Sequence, residues 1–413
     1  MTAPLLGELF AGIGGLALAA EEAFGSRSAW HVDADPFGTA VRRRHWPGVP
    51  QLAADVRTLG RQELGRVDGL IGGFPCQDLS LAGNQAGLDG ARSGLYRELL
   101  RLAVELRPDF VAVENVPPLF KYRERFEEDL AAAGFGRVAW ARLAASDVGA
   151  PHRRKRVFVI AQRSAVRESF EGGPNGNVGS WPTPMAADDG KHGIAFKLGN
   201  PTLRGAVGRL WSTPLAGDAD GGRTSAGKDR GPTSLRSQIK AASWPMPVAS
   251  DAASAGSRSL KSSSAHAGTS LTDALRADRA IAGGPIGAAA SGATLNPRWV
   301  EALQGFPIGW TEAAPDQGRL FGGFLPSLRE LPPLRWPAGR GEPQHAWEPP
   351  RHAVEAEDRD ERGARIRALG NAVVWPQGFV GLRIAWALLH GQDPAEALAE
   401  ALAELYPRPR LEP

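Results

Sequence analysis

The sequence predicts an α/β fold: a sheet with helices on both faces, joined to a smaller irregular domain. Three observations predict it. Through residue 163, short apolar runs alternate with helical patterns, the order expected of strand–helix–strand units. Several of those runs end in glycine-rich turns or carboxylates, where sheets of this class hold ligands. From about 164 to 290 the composition shifts to Ser, Gly, Ala and Pro with few apolar runs, which marks a different kind of unit. The expected organisation is a first domain over 1–163 completed by 363–413, a small domain over 164–311, and a Pro- and Gly-rich connection over 312–362.

Bulk numbers narrow the class. A chain of 413 residues, 42% hydrophobic and 23% charged, is ample for a large core and ordinary for a soluble globular protein. One cysteine excludes a disulfide framework and a four-cysteine zinc site, and fits a reducing cytosol, so no metal is expected. The N-terminus reaches the acidic Glu8 early and no apolar run reads as long enough for a bilayer, so neither a signal peptide nor a membrane partner is expected. The net charge of +3 and pI near 9.2 are compatible with a polyanionic partner without requiring one. Arginine far outnumbers lysine, which suits bidentate phosphate and guanine contacts.

In order, residues 5–10 read as a first strand. Ala11-Gly12-Ile13-Gly14-Gly15 then turns tightly into a helix over Leu16–Phe24. Glycines there let backbone approach a ligand at the helix N-terminus, where free N–H groups face it. The next strand ends in Asp33-Ala34-Asp35, about 20 residues downstream, the separation expected of a carboxylate that grips ribose hydroxyls. This is a nucleoside half-site. Gly12, Gly14 and Ala17 also satisfy the loose G-x-G-x-x-A dinucleotide pattern, so this stretch alone leaves an oxidoreductase open. Asp55 follows another short element.

Val67–Ile71 reads as a buried strand emptying into Gly72-Gly73-Phe74-Pro75-Cys76-Gln77. A lone cysteine is often only a small buried apolar residue. Here Pro75 stiffens the turn, glycines precede it and a polar loop follows, which favours a nucleophilic thiolate. A helical pattern over Leu95–Leu106 comes next. The β-rich run Pro108–Val113 then ends in Glu114-Asn115, and a glutamate at the end of an apolar strand is costly unless used or paired. In Ala150–Ala161, Arg153-Arg154-Lys155-Arg156 feed directly into a strand and so aim inward at an anion rather than forming a solvated face. Within 164–290, Trp181-Pro182-Thr183-Pro184 recurs as Trp211-Ser212-Thr213-Pro214 and as Trp244-Pro245-Met246-Pro247. Leu295–Trp310 reads as a compact closing element of the small domain, Phe379–Leu389 as a helix opened by Asn371, and 394–405 as a helical cover.

Six of these stretches stand in a telling order: Phe10-Ala11-Gly12-Ile13-Gly14-Gly15, Pro75-Cys76-Gln77, Glu114-Asn115-Val116, Arg154-Lys155-Arg156, Leu303-Gln304-Gly305-Phe306-Pro307 and Gly370-Asn371-Ala372-Val373. In that order the chain resembles the DNA (cytosine-5) methyltransferases of bacteria and phages. Two positions depart from the family: His152 stands where glutamine is usual, and Asp33 where the ribose-binding acid is often glutamate. The resemblance implies a Rossmann-like sheet that binds S-adenosylmethionine, plus an irregular target-recognition domain, in a monomeric cytoplasmic enzyme. It implies cofactor contacts from Phe10, Gly12, Gly14, Gly15, Asp33, Asp55, Pro75 and Asn371. It implies a catalytic set of Cys76, Glu114, Arg154 and Arg156, in which Arg156 polarises the O2 carbonyl and Arg154 holds backbone or loop elements nearby, with Ser80–Gly87 as a lid over the flipped base. Gln77, Ser80 and Arg92, with Arg223 and Arg230 between the repeats, are expected on double-stranded DNA, and a cognate restriction endonuclease is an expected separate partner. Hydride transfer needs no Cys76, Glu114 and Arg156 set, which removes the oxidoreductase. A catalytically idle DNA binder would be expected to lose one of the three. A tRNA methyltransferase of the same family would need less groove-reading apparatus than a segment of this length provides.

Overall fold

In the computed structural model, residues 3–75, 95–163, 243–247, 251, 271–272, 274–275, 294–312, 334–353 and 358–407 are described. Contacts divide the chain into one unit made of Met1–Ala165 with Trp244–Pro413 and a second over Val166–Ser243. All the described strands and helices belong to the first unit. The described parts of the expected small domain, Trp244, Leu271, Leu275 and the stretch 294–311, pack within this unit, in one core with Leu6, Ile13 and Phe379.

Among the described residues, seven strands form the sheet: β1 Leu5–Leu9, β2 Arg27–Asp33, β3 Gln51–Ala53, β4 Gly69–Gly72, β5 Phe110–Asn115, β6 Phe135–Ala144 and β7 Lys155–Arg163. They lie in the order β3-β2-β1-β4-β5-β7-β6. The first five in that order run parallel, and β7 is inserted antiparallel between β5 and β6. Parallel neighbours need covered crossovers, so the central strands are largely apolar, with Glu8 in β1 and Glu114-Asn115 at the end of β5 as buried polar exceptions. β5, Phe-Val-Ala-Val-Glu-Asn, is buried at all six positions.

The helices are α1 Gly15–Phe24, α2 Pro36–His45, α3 Arg61–Leu64, α4 Leu95–Leu106, α5 Arg123–Ala132, α6 Pro297–Leu303, α7 Arg359–Asn371, α8 Trp375–Leu389 and α9 Pro394–Leu405. Strand alternation sorts them onto two faces. Phe158 and Ile160 of β7 turn to the core shared with α1 and α8, while Val157, Val159 and Ala161 turn to the core shared with α4 and α5. Each large side chain buried this way contributes about 1.5–3 kcal/mol relative to exposure.

Two readings of the C-terminal part change. Asn371 closes a helix instead of opening one: α7 ends on it and α8 starts at Trp375, with Pro376 in its first turn. Within Arg359–Leu389, an 18-residue window does have the length and mean hydropathy, 1.4, of a membrane span. Yet 78% of that window is buried inside the protein, because α8 lies against α1, β6 and β7. Its apolar face serves the sheet.

Strand order reverses direction at β1, whose neighbours are β2 and β4. The turns after β1 and β4 therefore flank a crevice at the carboxyl ends of the strands, the place where open α/β sheets bind ligands.

Candidate active site

The turn after β1 comes first. Gly12 and Gly14 have φ of +51° and +84°, a left-handed geometry that glycine adopts without Cβ strain. Gly14 N–H donates to Ala11 O at 2.8 Å, and Gly12 N–H to Asp33 Oδ2 at 2.8 Å. Phe10 adopts the same left-handed region, φ +58°, as a non-glycine residue. A Cβ on Gly12 would meet nothing within 4 Å, whereas one on Gly15 would lie 2.6 Å from Val373 O. The turn is thus open on one side and tightly backed by the Ala372–Val374 link on the other.

Asp33 ends β2 half-buried, with Oδ1 accepting from Asp35 N at 2.8 Å. Asp35 caps α2, accepting from Phe37 N and Gly38 N. Asp55 follows the neighbouring strand β3 and is held by Arg57, whose guanidinium lies 2.5 Å from Oδ2 and lowers the carboxyl to about 2. Below the turn runs a buried polar chain: Arg42 Nε donates to Gln51 Oε1 at 2.9 Å, and Gln51 meets His31 Nδ1. Glu8 lies 3.9 Å from His31 Nε2. Burial raises Glu8 to about 8 and lowers His31 to about 3, so both are neutral at physiological pH and their approach is no ion pair.

The second turn, Gly73–Pro75, leaves β4 beside the end of β5. Glu114 is 8% exposed. Its Oε1 lies 2.7 Å from Arg156 Nε on β7, which the antiparallel insertion brings alongside. A Cβ on Gly73 would stand 3.0 Å from Glu114 Oε2, so the turn passes directly over the carboxylate. Next along β5, Asn115 Nδ2 donates to Phe74 O at 3.1 Å while Oδ1 accepts from Val116 N at 2.8 Å. Asn115 fastens the strand end to the residue before Pro75.

Arg154 has a different surrounding. It is buried and donates to Gly370 O at 3.1 Å and Ala372 O at 2.7 Å, which satisfies carbonyls at the end of α7. It holds the Asn371 segment, and Asn371 itself is exposed. His152, the departure from the family pattern, is fully buried and bonds Leu303 O at 2.9 Å through Nε2. Burial lowers it to about 3, so this neutral ring adds no charge to the basic cluster.

The structure thus brings Glu114 and Arg156 together beside the Gly73–Pro75 turn, and Asp33 together with Gly12. It assigns Arg154 to the backbone of another element. Cys76, Gln77, Ser80, Arg92, Arg223 and Arg230, the lid Ser80–Gly87 and the first two tryptophan repeats lie outside the described residues. Trp244 of the third repeat is buried, its indole N–H donating to Ala338 O at 2.9 Å. Asn115 enters the sequence pattern only as part of Glu114-Asn115-Val116, with no role of its own, and Arg42 and Trp310 carry no functional signal. Asn115 is adjacent to a flagged glutamate, but nothing local distinguishes Arg42 from its neighbours Arg43 and Arg44.

The family model for C-5 cytosine-specific DNA methylase matches residues 6–319. The Type II methyltransferase M2.BsuMI of Bacillus subtilis is 35% identical over 37% of this chain and 40% of its own length. M.XorII of Xanthomonas oryzae is 34% identical over 40% and 42%, and M.NgoMIV of Neisseria gonorrhoeae 33% over 43% and 54%. The chain therefore spans about two fifths to one half of the curated relatives it matches. A solved putative DNA modification methyltransferase encoded within an E. coli prophage is similar at 18% identity, over 94% of this chain and 100% of its own, with a TM-score of 0.44. With a family model matched from β1 to beyond α6, the chain belongs to the C-5 cytosine-specific DNA methylase family.

Proposed function

We propose that the protein is a site-specific methyltransferase acting on C5 of a cytosine flipped out of double-stranded DNA, through a covalent bond between Cys76 and cytosine C6. One observation carries the reading: Glu114 and Arg156, paired at 2.7 Å, stand beside the Gly73–Pro75 turn, which Cys76 follows in the sequence. A carboxylate and a guanidinium on one nucleophile's doorstep suit a ring with an exocyclic amine, a ring nitrogen and a carbonyl.

C5 of cytosine is a weak nucleophile. The Cys76 thiolate adds at C6, the S–C6 bond forming as the C5–C6 π pair moves into an enamine across C4 and C5. Glu114 accepts from the exocyclic amine and holds a proton at N3, while Arg156 donates to O2, where negative charge gathers. Loss of the C5 proton to solvent after methylation expels Cys76 from C6. Flipping costs a few kcal/mol and is required because stacked neighbours cover C5 and C6.

S-adenosylmethionine, when bound, supplies a methyl group on a cationic sulfur. The residues fit such a ligand: the open side of Gly12 leaves room for it, and Asp33 ends the adjacent strand with its carboxylate half-exposed. Phe10, Gly14 and Gly15 form the same turn, with Asp55 at the next strand end and Pro75 and Asn371 toward the other side. Asp33→Ala is expected to weaken cofactor binding by about ten- to a hundredfold, since a hydrogen bond to a charged group contributes about 1.5–3 kcal/mol. Asp55→Ala, exposed and already paired with Arg57, is expected to weaken it less. Calorimetric dissociation constants check both, and unchanged values place the cofactor elsewhere.

We assign sequence choice to 164–290, with Arg223 and Arg230 toward DNA beside Gln77, Ser80 and Arg92. A separate endonuclease is the expected partner, as the Type II names of the relatives suggest. The test is bisulfite sequencing of DNA from cells expressing the chain. One short motif methylated at C5 supports the function, and exchange of 164–290 with a relative's segment should change that motif. Absence of C5 methylation on any sequence removes the proposal.

A further inference from the structure

Two buried side chains, remote in sequence, hold successive carbonyls of the turn after β1. Trp310 Nε1 donates to Ile13 O at 3.0 Å across 297 residues, and the Arg42 guanidinium donates to Gly12 O. A trans peptide points its N–H opposite its C=O. Drawing Gly12 O toward Arg42 therefore turns Ile13 N–H the other way, and fixing Ile13 O aims Gly14 N–H at Ala11 O, which closes the turn. Between them the two donors set two peptide planes.

The indole is not free to move. Trp310 is 0% exposed, and its ring stacks on the His45 imidazole with centroids 3.6 Å and planes 9° apart. Burial lowers His45 to about 4, so the ring is neutral and its Nε2–H can donate to Trp310 O, 2.8 Å away. Arg44 donates to Gly309 O at 3.2 Å and Glu312 O at 2.7 Å. From the other side, Glu301 accepts from Gly309 N at 2.5 Å and Thr311 N at 2.8 Å, and Arg365 faces its charge at 3.2 Å. Such over-determination is more than a core tryptophan needs for packing alone.

We propose that Trp310 is a positioning residue for the cofactor turn, acting through Ile13 O, with Arg42 as its counterpart at Gly12 O. Affinity for S-adenosylmethionine thus depends on a side chain from the segment that follows the recognition region. The inference rests on the functional reading above for the identity of the ligand.

Trp310→Phe tests it, because phenylalanine keeps an aromatic ring against His45 and removes the indole N–H, together with the volume of its five-membered ring. The full-length variant should bind S-adenosylmethionine about tenfold more weakly by calorimetry, the scale expected when a buried carbonyl loses its donor. The KM for cofactor should rise alike, while kcat at saturating cofactor and the KM for DNA stay near wild type. His45→Ala, which removes the stacking partner but leaves the N–H, should have a smaller effect on cofactor affinity at equal loss of thermal stability. A dissociation constant for Trp310→Phe within twofold of wild type overturns the proposal. So does a fall in apparent kcat with both KM values unchanged, which would mark loss of folded protein and not a displaced cofactor turn. Wild-type protein that binds no S-adenosylmethionine overturns instead the functional reading itself, and that outcome is read before any variant is compared.

Discussion

Cys76→Ser is expected to abolish methyl transfer while leaving cofactor and DNA binding largely intact. A serine hydroxyl stays protonated and poorly nucleophilic at neutral pH, whereas a thiol, with an unperturbed pKa of about 8.5, needs only modest help to ionise. Without addition at C6 the ring has no enamine, and C5 has nothing to offer a methyl cation equivalent. The substitution changes one atom, and the Gly73–Pro75 turn before it is held by Asn115 through Phe74 O, so folding should survive. A duplex with 5-fluorocytosine at the target provides the companion measurement. Fluorine cannot leave as a proton, so wild-type protein with S-adenosylmethionine should accumulate an adduct whose mass maps to the Cys76 peptide. Serine-variant turnover above a few per cent of wild type, or absence of the adduct, takes Cys76 out of the mechanism.

Much of this fold is legible in the sequence because its elements announce themselves locally. The helical pattern Leu95–Leu106 coincides with α4, and the 394–405 tail with α9, since both carry a periodic apolar face between clear ends. β1, β2, β4 and β5 are legible as apolar runs ending in glycine or carboxylate. β6 is not: Phe-Gly-Arg-Val-Ala-Trp-Ala-Arg-Leu-Ala has a glycine and an exposed arginine in its first turns of chain, and becomes a strand through pairing with β7. The antiparallel entry of β7 likewise depends on pairing that no local signal encodes. Asn371 misleads because its Gly-Asn neighbourhood looks like a helix start, while the tertiary bond from Arg154 to Gly370 O rewards an ending there.

The site follows the same division. Glu114 and Arg156 stand out as polar residues attached to buried strands, where an uncompensated charge is expensive, so chemistry betrays them. Asp33 and the glycine turn stand out by spacing. The supporting residues do not, because Trp310, Arg42 and Asn115 act by donating to main-chain carbonyls, and a carbonyl has no residue type to leave in the sequence. Arg154 groups with Arg156 by nearness along the chain, but β7 begins only at Lys155. Arg154 lies ahead of the strand, outside its alternation, and its side chain serves the end of α7 instead.

The Glu114–Arg156 pair carries the second large effect. Glu114→Gln keeps the shape of the side chain and its capacity to accept from an exocyclic amine, but cannot hold a proton at N3 in exchange with the ring. A loss of about 10²–10⁴-fold in kcat is expected, the range for removing a positioned proton-transfer group. Arg156→Ala withdraws the donor expected at O2 and should cost about 10²–10³-fold, with Arg156→Lys intermediate because it keeps charge without the planar fork. Because the two side chains touch at 2.7 Å and would act on one ring, the double variant should fall well short of the product of the single losses. The competing account is purely architectural, since the Arg156 and Glu114 side chains are nearly buried, at 12% and 11% exposure, where β5 meets β7. A pair with that role alone would lower the melting temperature of each variant yet leave single-turnover rates of the folded fraction near wild type. Single-turnover rates measured beside thermal unfolding separate the accounts: rates that collapse in well-folded variants fix the pair in the chemistry, and rates that follow only the folded fraction remove it.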